Sequence, residues 1–190
     1  MELREAVTSR RSVRKYKSDP VPEAILEEIL ETACWAPSAD NRQPWYFVVL
    51  TKKEDIALLR ETMMRVSEGI VAPLREMFPN HPNIVREEAA FLRRLGDAPA
   101  YVLVFLQKEK TFRDSMLESA AAAIQTLLLA AHQKGLGSCW VNAATELGYG
   151  PALRELFAPD MGEFVSLVTL GYPEIIPNAP KRKNGRWVIR

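Results

Sequence analysis

Arg10, Ser12 and Arg14 fall at alternate positions in the segment Ser9-Arg10-Arg11-Ser12-Val13-Arg14-Lys15-Tyr16-Lys17, and alternate residues share a face where the backbone is extended. Two guanidiniums and a hydroxyl on one ledge suit a phosphate dianion, because arginine donates from a planar fork and a hydroxyl adds a neutral donor. The charge is local. Five cations stand in the eight residues from Arg10 to Lys17, while over the whole chain Lys+Arg 25 nearly balance Asp+Glu 24. Taken alone, the cluster also reads as a solvated basic surface, and a helical backbone here would take Ser12 off the ledge.

A second candidate is the loop Ala36 to Trp45, APSADNRQPW, in which Ser38, Asn41 and Gln43 offer a hydroxyl and two amides just before an apolar run. Neutral amides both donate and accept, as a pyrimidine-like ring edge or a polyol chain requires. An ordinary polar turn has the same composition, although prolines at both ends stiffen this one. The third is GLGSCWVN, Gly135 to Asn142. It is not a dinucleotide fingerprint: it follows a helix instead of a strand, and Trp140 stands at the third glycine position. Gly135 fits a helix C-cap. Beyond it, the Trp140 to Asn142 backbone could lie against a flat ligand. The basic Lys181-Arg182-Lys183 either closes over the same anion as Arg10 or is only a soluble end.

Other chemistries have little material. With His81 and His132 the only histidines, metal sites and Ser-His-Asp catalysis are not expected, and Cys34 and Cys139 lie far apart with no CxxC pattern, reading as two buried, inert thiols. A formal net charge of +1 gives no reason to expect nucleic acid. The first residues show no secretory pattern, and the apolar run Ala120 to Ala131 is too short to cross a bilayer. A cytoplasmic protein with no membrane partner is the expectation.

These residues need elements to hold them. Pro22 with Ile25, Leu26, Ile29, Leu30 and Ala33 predicts a helix ending near Trp35, before Pro37. Trp45 to Leu50 reads as a buried strand, and Thr51-Lys52-Lys53-Glu54 as a capping box opening a helix with Ile56, Leu59, Met63 and Val66 on one face. Pro73, Pro79 and Pro82 predict an irregular connection over Ala72 to Pro82, followed by a helical Arg86 to Leu95. Ala100 to Leu106 and Phe164 to Leu170 are apolar strands, and Asp114 to Lys134 is a helix apolar nearly all round, with alanines that permit close packing. Ser138 to Asn142 is a short strand, Pro151 to Phe157 a short helix, and Trp187 to Ile189 a candidate terminal strand. Interspersed helices and strands in 190 residues predict one layered domain, 1–190, of the α+β or α/β class.

Taken in order, RRSVRKY, APSADNRQPW, the Ala-rich helix leading to GLGSCW, VTLGYP and PKRK, the chain resembles the nitroreductase family of FMN-dependent oxidoreductases over essentially its full length. The resemblance implies an α+β, three-layer fold: a central, mainly antiparallel sheet flanked by helices, in an intertwined homodimer with FMN at the subunit interface. It implies cofactor contacts from Arg10, Arg11, Ser12 and Arg14 of one subunit, with Arg10 at the phosphate and Arg14 at the phosphate or the ring's N1/O2 edge. Pro37, Ser38, Asn41 and Gln43 would come from the other subunit. Trp140, Val141, Asn142 and Ala143 would pass near the ring, and Arg182 or a neighbouring lysine would return to the phosphate.

The implied activity is transfer of a hydride from NADH or NADPH through flavin N5 to nitroaromatic, quinone or related small-molecule acceptors by ping-pong turnover, with no protein catalytic residue and no metal. The same resemblance admits a dehalogenase, a peptide dehydrogenase or a flavin-fragmenting dimethylbenzimidazole synthase. A different class would be a flavin- or anion-binding module without turnover, using Arg10 to Lys17 as an RNA surface, though only Tyr16 offers a stacking ring there. Gln125-Thr126 replaces a common Gln-Asn pair, and the stretch after Gly171-Tyr172-Pro173 is shorter than the arm that embraces the partner in many members. The Ala72 to Leu95 region covers the pocket in the family.

Overall fold

The computed structural model of the chain describes residues 1–109 and 111–190. Four strands, β1 (Trp45–Leu50), β2 (Ala100–Leu106), β3 (Gly137–Val141) and β4 (Phe164–Gly171), form one antiparallel sheet in the order β1-β2-β4-β3. The helices are α1 (Leu3–Ser9), α2 (Glu23–Ala33), α3 (Lys53–Gly69), α4 (Val71–Met77), α5 (Pro82–Arg94), α6 (Arg113–Gln133), α7 (Ala143–Glu146) and α8 (Gly150–Phe157).

Central strand β2 is buried at every position, so its unbroken apolar run follows from cover on both faces. Tyr101, Leu103 and Phe105 point into a core with Leu59 and Met63 of α3 and Leu92 of α5. Ala100, Val102 and Val104 point the other way, toward Ile29 of α2 and Ile124, Leu127 and Ala131 of α6. Large residues thus face one helical layer and small ones the other, and the alanines of α6 let that helix lie close to the sheet. A bulge lets Phe105 pair with Phe164 directly after Val104 pairs with Ser166. It brings Phe164 to the face of Phe105, with the ring centroids 5.5 Å apart in an edge-on arrangement.

The antiparallel three-layer α+β architecture agrees with the expectation, and several local readings change. Ala72 to Pro82 is irregular only over Phe78 to His81: Pro73 lies in the first turn of α4, where backbone N–H groups have no intrahelical partner, and Pro82 is the first residue of α5. Thr51 caps nothing, because α3 starts after Lys52, and Glu54 stands at the second helical position, where it cannot complete the box. Trp187 to Ile189 is not a strand and is exposed; a strand needs a partner, and this segment pairs with none among the described residues. Helix α1 was not expected.

Candidate cofactor site

Residues after α1 run extended along the outer edge of β3. Ser12 bridges Ser138 in parallel, and the Val13 N–H donates to the Ser138 carbonyl at 2.9 Å. Val13 is buried against Gly137, where a side chain would meet it at 2.8 Å. Further on, the buried Tyr16 hydroxyl donates to the Val13 carbonyl at 2.6 Å and lies 2.6 Å from Thr169 Oγ1, while Lys17 N–H reaches the Tyr172 carbonyl at 2.9 Å. The ledge is therefore extended, as its alternation requires, and is fastened by Val13 and Tyr16 between the polar residues.

The charges of Arg10 and Arg14 reach Cys139 of β3, next to the Ser138 that Ser12 bridges. Burial pushes that thiol's pKa up; Arg14 pulls it down, Glu88 of α5 pushes it further up, and the Ser12 hydroxyl bond and Arg10 pull it down again. Arg10 is itself held below its ordinary value by burial, eased by Cys139 and deepened by repulsion from Arg11 and Arg182. The C-terminal stretch, exposed and without regular structure, thus brings Arg182 within the field of Arg10. Arg11 turns elsewhere: its Nη1 donates to the carbonyls of Thr8 at 2.8 Å and Arg10 at 2.6 Å, closing the end of α1. Beside it, a cavity of about 180 Å³ lies between Ser9, Arg10, His132 and Gly137, with Ser9 Oγ 2.7 Å from His132 Nε2.

Past Ser138, the outer side of β3 carries no strand among the described residues. The Trp140 side chain packs toward α2 and α6, and its buried indole N–H finds no acceptor among the described residues. Val141 is buried in the core, Asn142 is exposed and Ala143 half-buried at the start of α7. What this stretch offers outward is backbone and the Asn142 amide.

Pro37, Ser38, Asn41 and Gln43 occupy a different place. Asp40, Asn41 and Gln43 have positive φ of 52°, 52° and 47°, conformations that are unfavourable for residues with a side chain. Hydrogen bonds hold them: Gln43 N–H donates to Ser38 Oγ at 3.0 Å, Gln43 Nε2 to Asn41 Oδ1 at 3.0 Å, and Ala39 N–H to Ser119 Oγ of α6 at 3.2 Å. Exposed Pro37 leads into the turn. The loop opens onto a hollow of about 560 Å³ with Cys34, Asn41, Gln43, Tyr46 and Gln107 on its walls. Cys34 is exposed, contrary to expectation: the buried stripe of α2 is Leu26, Ile29 and Ala33, and the next residue leaves it.

Helix α6 measures the separation of the two groups. The loop is tied to Ser119 and the ledge's neighbour Ser9 to His132, thirteen residues apart (132 − 119), or roughly 20 Å at 1.5 Å per residue. They also belong to opposite edges of the sheet, β1 and β3. The structure brings Arg10, Ser12, Arg14, Arg182 and β3 together, and leaves Pro37 to Gln43 apart from them.

Residues 7–172 match the model of the Nitroreductase family. The chain belongs to the nitroreductase family. Among its family relatives, it is 32% identical over 184 residues to an NADH dehydrogenase of Thermus thermophilus, covering 91% of this chain and 87% of that one. It is 32% identical over 213 residues to a 4-nitrobenzoate reductase of Nocardioides, with 93% and 84% covered. A nitroreductase with bound FMN from Bacteroides fragilis superimposes with a TM-score of 0.75 at 25% identity, covering 100% of this chain and 99% of the other.

For this nitroreductase-family chain, sequence reasoning missed Glu88, Phe91 and His132, all of which border the ledge. Nothing local marks them: Glu88 is one acid in a charged amphipathic helix, and only the fold carries it to Arg14. Among the described residues, no helix is long and apolar enough to cross a membrane and no group of His, Cys, Asp or Glu is set to hold a metal.

Proposed function

We propose that residues 1–190 form one FMN-binding domain of a homodimeric NAD(P)H-dependent oxidoreductase that reduces nitroaromatic, quinone or related small-molecule acceptors by ping-pong turnover. The observation that carries this is the extended segment bearing Arg10, Ser12 and Arg14, moored by the Ser12–Ser138 bridge and the Val13–Ser138 hydrogen bond to the open outer edge of β3, with the charge of Arg182 reaching Arg10 from the C-terminal side. Two guanidiniums and a hydroxyl at alternate positions of one extended segment fit a cofactor with a phosphate at one end and a polar ring edge at the other. FMN, when bound, supplies hydride acceptance from a nicotinamide and onward transfer from N5 to the acceptor.

The chain's own residues bind and orient. Arg10, with Arg182, would hold the phosphate; Ser12 would add a neutral donor; Arg14 would serve the ring's N1/O2 edge, where a cation favours the negative charge gained on reduction. The backbone from Trp140 to Ala143 would border the ring, and Arg11 braces the turn that presents Arg10. Pro37, Ser38, Asn41 and Gln43 complete the site from a second copy, because within one copy they lie roughly 20 Å from the ledge by the α6 ruler. Exposed apolar residues support a partner: Trp35 is 89% exposed, Trp187 81% and Ile189 85%, more than an isolated surface ordinarily shows in large side chains.

The test is spectroscopic. Purified protein, reconstituted with FMN if necessary, is expected to be yellow, to bleach anaerobically with NADH or NADPH, and to recolour with a nitroaromatic or quinone. Protein that cannot bind FMN overturns the reading. Flavin consumed in the presence of oxygen, without turnover of added acceptors, replaces it with the flavin-fragmenting chemistry.

A further inference from the structure

Arg14 is gripped by α5 and the turn that follows it. Its Nε lies 3.6 Å from Glu88 Oε2, and its guanidinium carbon lies 5.5 Å from the centroid of the Phe91 ring, one helical turn along. Beyond α5, Gly96, at φ 65°, sits so close that a side chain there would meet the Arg14 carbonyl at 2.5 Å. Side chain and backbone of Arg14 are thus both seated on one element, although Arg14 and Glu88 remain 49% and 34% exposed. The grip is one-sided. Glu88 stands at the Nε side and Phe91 at the ring face, while among the described residues the amino ends have only a long 3.5 Å contact from Nη1 to the Ser12 carbonyl.

We propose that Glu88 is a positioning residue for the cofactor site: it holds Arg14 from behind, leaving the amino ends of the fork free for a ligand, and its carboxylate damps the positive charge that Arg14 presents. The inference rests on the flavin reading above. It makes α5 a determinant of how strongly the site favours the reduced cofactor. An acid paired with Arg14 reduces the field at the ring edge, so bound flavin is a better hydride donor than it would be against an unopposed arginine. Glu88 also lies within electrostatic reach of the Cys139 thiol, to which Arg10 and Ser12 also reach, so its charge acts on the ledge as a whole.

The test compares dissociation constants for oxidised FMN and for FMN reduced anaerobically with dithionite. Wild type, Glu88→Gln, Glu88→Ala, Arg14→Met and the Glu88→Gln/Arg14→Met double variant are measured, each checked by thermal melting. Arg14→Met keeps an apolar stem over Phe91. Glu88→Gln is expected to raise the preference for reduced over oxidised FMN roughly two- to fivefold, the effect of a half-exposed ion pair, and the gain is expected to vanish in the double variant. Glu88→Ala, which loses the grip as well, is expected to bind both forms more weakly than Glu88→Gln. An unchanged preference in Glu88→Gln, or a gain that persists without Arg14, overturns the proposal. Wild type that binds neither form overturns the flavin reading as well, a result distinct from wild type and Glu88→Gln binding alike.

Discussion

The ledge at β3 and the loop before β1 are built on opposite principles. The ledge is charged and lies in relaxed extended backbone, kept in place by Val13 against Gly137 and by the buried Tyr16. The loop is dominated by neutral donors and acceptors and lies in backbone that prefers other conformations, kept in place by hydrogen bonds that the side chains of Ser38, Asn41 and Ser119 accept. Charge on a relaxed frame supplies affinity, because a charge-assisted contact tolerates small displacement. Amides on a strained frame supply orientation, because their geometry is exacting. A cofactor with an anionic end and a patterned ring edge needs both.

The most drastic way to break this division is to place each half on a different copy. An Asn41→Ala/Gln43→Ala subunit mixed with an Arg10→Ala subunit is expected to regain one intact FMN site per heterodimer, where each parent binds poorly. Titration of flavin into the verified mixture measures this, and no recovery would refute sharing of the sites. Next in size, Arg10→Ala alone is expected to weaken FMN binding by roughly 10- to 100-fold, the loss of a charge-assisted contact worth about 1.5 to 3 kcal/mol. Unchanged affinity would remove the ledge from the site. Gly137→Ala tests the ledge's mooring, since the new methyl must displace Val13; it is expected to lower unfolding stability by about 1 to 3 kcal/mol in denaturant titrations and to weaken FMN binding as well.

The loop predicts the reverse pairing of effects. Gln43→Gly removes a left-handed penalty of about 1–2 kcal/mol against an entropic loss of about 0.5–1 kcal/mol and the loss of the exposed Gln43 Nε2–Asn41 Oδ1 hydrogen bond, about 0.5 kcal/mol. The flavin-free protein is expected to gain up to about 1 kcal/mol while FMN binding weakens. The smallest effect is proton-linked. Burial and then Arg10 and Arg11 lower the pKa of His132, with Glu5 partly opposing them. The folded chain therefore binds fewer protons there than the unfolded chain as pH falls from 7 through the usual histidine range, and stability falls with it. Melting at pH 7.5 and 5.5 is expected to show this drop, and His132→Gln to reduce it.

The two regions also differ in how far they could be read from sequence. Alternation of Arg10, Ser12 and Arg14 carried its own geometric consequence, so an extended segment was enough to set them along the edge of β3. The long apolar runs of β2 and β4 likewise announced cover on both faces. The strain at Asp40, Asn41 and Gln43 left no such trace, because left-handed backbone at residues other than glycine is imposed by the contacts around it. Proline positions misled over Ala72 to Pro82 because a proline that opens a helix looks, in sequence, like one that breaks it. Cys34 was misplaced by a single residue's rotation about α2. Glu88 and His132 were invisible for a plainer reason: their partners are 74 and 123 positions away, as Arg14 (88 − 14) and Ser9 (132 − 9), and no local pattern encodes such a meeting.

Helix α6 joins these two regions through Ser119 and His132, and that has a consequence for which changes of length the chain can absorb. One residue inserted between those positions would advance the far end by about 1.5 Å and swing it by about 100°, so the ledge and the loop would lose their common frame together. The same insertion in the turn between α8 and β4 would displace neither. Spacing along this rod is therefore fixed in whole residues.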